Sequence, residues 1–231
     1  MKPIIKLPFW ATLFTVLGVM VLCALGTWQL QRLAWKAELL EKLDKAYDAP
    51  ITDPNVAGLD PDQFFVVSIE GRFLFDAALL MGHVVVDGQA GQNMIVPLET
   101  DQGVLLVDMG FNPQEDMLEE HKLKPYRNKV LRFTGLLYKP EWNAFTPPNI
   151  PQDDIWYRAD IEQIADAKSL APVLPFMMRG QSVSPAFGDI DLPKNERLQP
   201  NNNHAQYALF WFSLALALIV IYALRFLRAK S

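Results

Sequence analysis

Between Arg197 and Arg225 the chain carries no charged side chain, and from Tyr207 onward every residue except Ser213 is apolar. A bilayer core is about 30 Å thick and a helix rises about 1.5 Å per residue, so this stretch is long enough to cross it. A second charge-free run extends from Leu7 to Gln31, bounded by Lys6 and Arg32. Two such runs, with residues 32–197 between them, predict two transmembrane α-helices flanking one extramembrane α+β domain. The first run resembles a cleavable leader in its basic start and its Ala24-Leu25-Gly26 triplet. Its apolar segment from Pro8 to Leu25 is longer than a leader needs, and helical pattern follows at once, which favours a retained span. A lipoprotein start is disfavoured, because Leu22 before Cys23 is too large for the small residue such sites use.

Charge sets the expected orientation. Lys2, Lys6, Arg225, Arg228 and Lys230 give the two tails five cations and no acid, while all 26 acidic side chains lie between the spans. Short basic tails favour the cytoplasmic side, and a long loop crosses largely regardless of its charge. The expected layout is a cytoplasmic tail over 1–7, a first span over 8–31, a helical stalk over 32–49, an outer β-rich domain over 50–203, a second span over 204–224 and a cytoplasmic tail over 225–231. An acidic outer domain argues against nucleic acid as a partner and leaves the lipid bilayer as the first one. Cys23, the one cysteine, excludes an intrachain disulfide and any paired-cysteine metal or redox site.

Beyond Gly26, Leu33, Ala37, Leu40 and Tyr47 recur at helical spacing until Pro50 stops the pattern, so the first span should continue as a stalk. Trp28 and Trp35 bracket the expected outer interface. From residue 64 the pattern becomes short β-prone runs at 64–74, 78–86, 92–100, 103–111 and 129–139. Asp87-Gly88-Gln-Ala-Gly91 and Asp101-Gln-Gly103 read as hairpin turns between antiparallel neighbours. The segment 177–181 is expected to add an edge strand, and one amphipathic helix near 160–170 to cover a face. These parts predict a mostly antiparallel sheet or small open barrel with one covering helix.

Motifs for phosphate, dinucleotide, zinc-protease or serine-hydrolase chemistry are absent, and no carboxylate pair is marked as acid and base. His83 falls inside a strand and reads as structural; His121 reads as a solvated loop residue. His204 differs by position. It begins the second span, where ionisable groups are uncommon and often functional, and a neutral imidazole is a good axial ligand for haem iron. The plain alternative is an interfacial histidine that caps the helix or bonds a headgroup. Asn201 to Asn203 before it suit a helix N-cap. Tyr207, Ala208 and Trp211 follow on the same face. With both termini inside, the end of the first span and the start of the second share one leaflet, so Trp28, Gln29 and Arg32 are expected near His204, Tyr207 and Trp211. Arg32 reads first as a simple interface anchor, and Ser213 with Ala217 as a site of close helix approach.

Gly26-x-Trp28-Gln29-x-x-Arg32-x-x-Trp35-Lys36, together with Pro200-Asn-Asn-Asn-His204-x-Gln206-Tyr207-Ala208-x-x-Trp211-Phe, resembles the Surfeit-locus-one family of cytochrome c oxidase assembly factors. Gly91, Val96-Pro97-Leu98, Gly103–Val107, Gly110-Phe-x-Pro113 and Trp156-Tyr-Arg-x-Asp160-Ile agree more loosely, so the resemblance spans nearly the whole chain. One departure is Met109-Gly110-Phe111, where the family usually carries an arginine and a tryptophan around the glycine. The resemblance implies a non-enzymatic factor that binds haem a transiently and assists its insertion into oxidase subunit I. His204 would be the axial ligand to the haem iron, with Trp28, Gln29, Arg32, Tyr207 and Trp211 around the cofactor. Expected partners are oxidase subunit I and haem a synthase. The expected location is a bacterial inner membrane with the domain in the periplasm, since a mitochondrial relative would need an Arg-rich presequence. Three other readings stand beside it: a scaffold that stabilises an oxidase intermediate without any cofactor, a membrane-tethered enzyme, and, least favoured for want of ligands, a copper carrier.

Overall fold

A computed structural model describes residues 8–113, 127–185 and 195–226. His121 and its loop lie outside the described residues. The chain forms two compact units: Met1–Glu41 with Gln199–Ser231, and Lys42–Leu198.

The first unit is a helix pair. Helix α1 runs unbroken over Phe9–Asp48, and its segment to Glu41 belongs here. The later helix His204–Phe226 is its partner, numbered α3 in chain order. Both are long and apolar enough to cross a membrane. Almost all of their large apolar side chains point outward, among them Phe9, Phe14, Met20, Leu209, Leu216 and Ile221. Water would not tolerate such a surface, and lipid would. The inward seam is made of small residues. Ala208 and Ala215 are buried, and a Cβ added at Gly26 would lie 2.7 Å from the ring of Phe212. Thr12 and Tyr222 share a hydrogen bond between their hydroxyls at the far end of the seam. Ser213 and Ala217, the pair expected to let the helices approach, are both exposed. The seam lies on a neighbouring face of the helix, where Ala208 and Ala215 recur after two helical turns.

The second unit opens with the last turns of α1, where Leu43 is fully buried and Arg197 bonds Asp44 at 3.0 Å and stacks on Tyr47. Seven strands follow: β1 (Ile51–Thr52), β2 (Phe65–Phe73), β3 (Leu79–Val86), β4 (Gln89–Thr100), β5 (Gly103–Pro113), β6 (Val130–Tyr138) and β7 (Val173–Ser184). Helix α2 (Ile161–Lys168) lies between β6 and β7. The sheet order is β1-β2-β6-β7-β5-β4-β3, and a further pairing of β2 with β4 closes five of the strands into a barrel. All pairings are antiparallel except β5 with β7 and the short β1 with β2. The expected small barrel is therefore present, and it is closed.

Alternation explains the two sides of its wall. Leu105, Val107 and Met109 of β5 point inward with Phe73, Phe133 and Phe176. Val104 and Leu106 point outward, under Ile164 and Ala165 of α2 and against Trp156. Helix α2 begins where Asp160 accepts a bond from the Gln163 N–H, as a helix cap should. The β3–β4 turn is Asp87-Gly88, both at positive φ, which is the geometry a two-residue hairpin requires.

Two expectations change. The strand expected at an edge is central: β7 pairs with β6 on one side and β5 on the other. Leu174, Phe176, Met177 and Met178 are buried, and β6, antiparallel to β7, returns the chain between the parallel strands β5 and β7. Pro175 breaks the local apolar signal, and the β5–β7 register slips around it because proline has no N–H to donate. Secondly, Met109-Gly110-Phe111, inside the run expected as a strand over 103–111, is not regular strand. It is a bulge within β5, with Gly110 at φ 95° and Met109 buried in the barrel.

Candidate cofactor site

The start of α3 is fixed against α1 by polar bonds. Lys36 Nζ donates to the Asn201 carbonyl at 2.6 Å, and Asn202 Nδ2 donates to the Leu33 carbonyl at 3.3 Å. Asn203 accepts the first helical N–H bond, from Gln206, through its carbonyl. Two of the asparagines expected to cap the helix therefore tie the two helices together. Asn202 Oδ1 is buried with no partner.

One turn along α1 from Leu33, Gln29 is 9% exposed and its Oε1 lies 2.7 Å from Nδ1 of His204. The imidazole is half-buried, and among the described residues no side chain bonds its Nε2. The grouping expected from topology is thus present at its centre. Around it the picture is looser. Trp28 and Tyr207 expose about half of their rings, and Trp211 is half-buried with Phe210 edge-on to it at 5.4 Å. Arg32 is exposed, and its guanidinium lies 4.9 Å from the centre of the Trp35 ring. It contributes a cation on this surface without touching His204. Ala208, predicted only as a face residue, is buried in the seam. Among the described residues no three His, Cys, Asp or Glu side chains gather, so His204 is not part of a multi-ligand metal cluster of that kind.

A group presenting one open coordination position, flat apolar faces and carboxylate tails fits this donor set. The imidazole would bind the metal, the half-exposed aromatic rings would cover the faces, and Arg32 would meet the carboxylates.

His83 lies on β3 as expected, exposed, with its ring 5.7 Å from that of Tyr157. The Trp156–Asp160 motif is structural: Trp156 is buried against α2 and donates to Asp154, while Asp160 caps the helix. Sequence reasoning missed a polar row on the barrel wall. Asp108 on β5 is 5% exposed, accepts from the Gly110 N–H at 2.8 Å and from Asn93 at 3.2 Å, and has Arg179 of β7 at 4.0 Å. Burial pushes its carboxyl above the ordinary range against these bonds, and burial likewise raises the neighbouring Tyr138 hydroxyl. The available signal was one acid at an outward strand position inside an otherwise apolar run.

Fold and site together define a two-span membrane protein carrying a closed β-barrel domain and a lone histidine at the head of its second span. The model of the SURF1 family matches residues 16–216, and the chain belongs to that family, one of cytochrome oxidase assembly factors and not a recognised enzyme family. It is similar to a SURF1-like protein of Monosiga brevicollis, 29% identical over 96% of this chain and 88% of that protein. It is also similar to Surfeit locus protein 1 of Xenopus tropicalis, 26% identical over 89% of this chain and 72% of that protein. Surfeit locus protein 1 of Homo sapiens is 27% identical, over 88% of this chain and 73% of that protein.

Proposed function

We propose that this protein binds haem a at the membrane edge and assists its insertion into oxidase subunit I, with His204 as the axial ligand to iron. The observation that carries this reading is a half-buried imidazole at the start of the second span, engaged at Nδ1 and unbonded at Nε2 among the described residues, in a chain of an oxidase-assembly family. Haem a is cargo here; its redox chemistry belongs to the oxidase that receives it. Trp28, Tyr207 and Trp211 would shield the faces of the macrocycle, and Arg32 would neutralise its propionates. We place both termini in the cytoplasm of a bacterium, the helices in its inner membrane and the barrel in the periplasm. There the barrel would dock on oxidase subunit I or on haem a synthase.

Purification from cells that make haem a tests the ligand. Wild type should carry a haem a absorbance spectrum, and His204→Ala should lose it; a variant with an unchanged spectrum overturns the assignment.

A scaffold without cofactor is the second reading, and one observation favours it. Phe145 is 96% exposed and Trp142 nearly half exposed on the connector between β6 and α2, an apolar display suited to protein docking. A colourless wild-type protein that still co-purifies with subunit I would select this reading.

A further inference from the structure

We infer that Gln29 does not touch the cofactor but acts through His204, as a positioning residue that holds the imidazole proton on Nδ1 and keeps Nε2 open as a weak, exchangeable ligand. This rests on the proposed reading of His204 as ligand.

A carboxamide oxygen only accepts, so Oε1 at 2.7 Å requires the proton to sit on Nδ1. The lone pair is then on Nε2, the nitrogen to which none of the described residues offers a bond. The reverse orientation of the amide would donate to Nδ1, move the proton to Nε2 and close the site to a metal. Gln29 is well placed to impose the choice. Gly26, one turn before it on the same face of α1, packs against Phe212; Leu33 and Lys36, one and two turns after it, receive Asn202 and bond Asn201. The residue is 9% exposed between these fixed points, so its side chain has little freedom to leave the ring.

The type of acceptor has a consequence. Histidine ligands are commonly oriented by a carboxylate, which raises their basicity and strengthens the metal bond. A neutral amide orients the ring without adding negative charge. Beside a bilayer it also avoids burying an ion. A residue that orients the ligand without strengthening it suits a carrier that must give its cargo up.

The test begins without haem. The full chain, with His83 and His121 replaced by Gln, is labelled with 15N at histidine and placed in lipid nanodiscs at alkaline pH. The His204 ring should show a protonated Nδ1 and a bare Nε2, and Gln29→Leu should turn this into a mixture. A proton on Nε2 in wild type, or a ring unmoved by Gln29→Leu, overturns the inference. Haem a is then added. Gln29→Leu should weaken binding about 10–100-fold. Gln29→Glu should restore binding, lower the midpoint potential and slow release to an apo-acceptor. Equal affinity and potential in all three forms would overturn it as well. If wild type binds no haem while the ring shows the Nδ1 proton, the cofactor reading falls and the Gln29–His204 pair alone stands.

Discussion

Asp108 is an acid set into an apolar wall, and its surroundings fix a measurable sign. Burial raises its carboxyl, opposed by the Gly110 N–H, Arg179 and Asn93. The folded domain therefore keeps this proton to higher pH than the unfolded chain, whose carboxyl titrates near about 4. The resulting stability is complete below that value and is lost as pH rises through the folded-state value. Asp108→Asn keeps an acceptor for Gly110 and removes the titration, so its thermal midpoint should fall less than that of wild type as pH rises from 4 towards neutrality. Parallel curves for the two proteins would show that the carboxyl is not felt. Local pattern marked this residue only as an acid in an apolar run; its partner was invisible, since only the pairing of β5 with β7 brings Arg179 beside it. His204 was legible for the opposite reason. The membrane fixes depth, so one histidine at a span's end stands out without any tertiary knowledge. Gln29 was named among its neighbours, but Arg32 was expected close by and instead lies over Trp35.

At the scale of elements, turn and cap chemistry carried most of the information. Asp87-Gly88 and Asp101-Gln102 marked two hairpins, Pro50 closely follows the observed end of α1, and the helix expected near 160–170 is α2, with Asp160 as its cap. Removing that cap with Asp160→Ala should cost about 0.5–2 kcal/mol, read from denaturant unfolding of the domain within the whole protein. The place of β7 was not legible, because Pro175 interrupts its pattern and its neighbours come from distant parts of the chain. The seam between α1 and α3 was half legible. Small residues were expected, but helical phase selected Ala208 and Ala215. Gly26→Val would drive a side chain into the Phe212 ring, an overpacking of about 1–3 kcal/mol. In a Cys23→Ser background, cysteines at positions 12 and 222, whose native side chains are in contact, should form a disulfide on oxidation. Gly26→Val should reduce that yield several-fold, and an undiminished yield would show that the helices tolerate the wider spacing.

For the molecule as a whole, the proposed orientation predicts which side a reagent reaches. A cysteine at position 145, in the Cys23→Ser background, should react with a membrane-impermeant maleimide in intact spheroplasts, since Phe145 is nearly fully exposed. Labelling only after lysis would reverse the topology. The tail charges are what the proposed orientation rests on, and the alternation along the strands made the barrel legible; its closure was not, because that depends on two residue pairs between β2 and β4.

That closure governs how the chain is made. The last strand synthesised stands between β5 and β6, so a ribosome that has not passed Ser184 has produced only an unfinished wall with two raw edges. The segment between the two apolar helices must then wait, unfolded, until shortly before the second helix emerges, and any premature stop upstream of that point forfeits the domain and the histidine together.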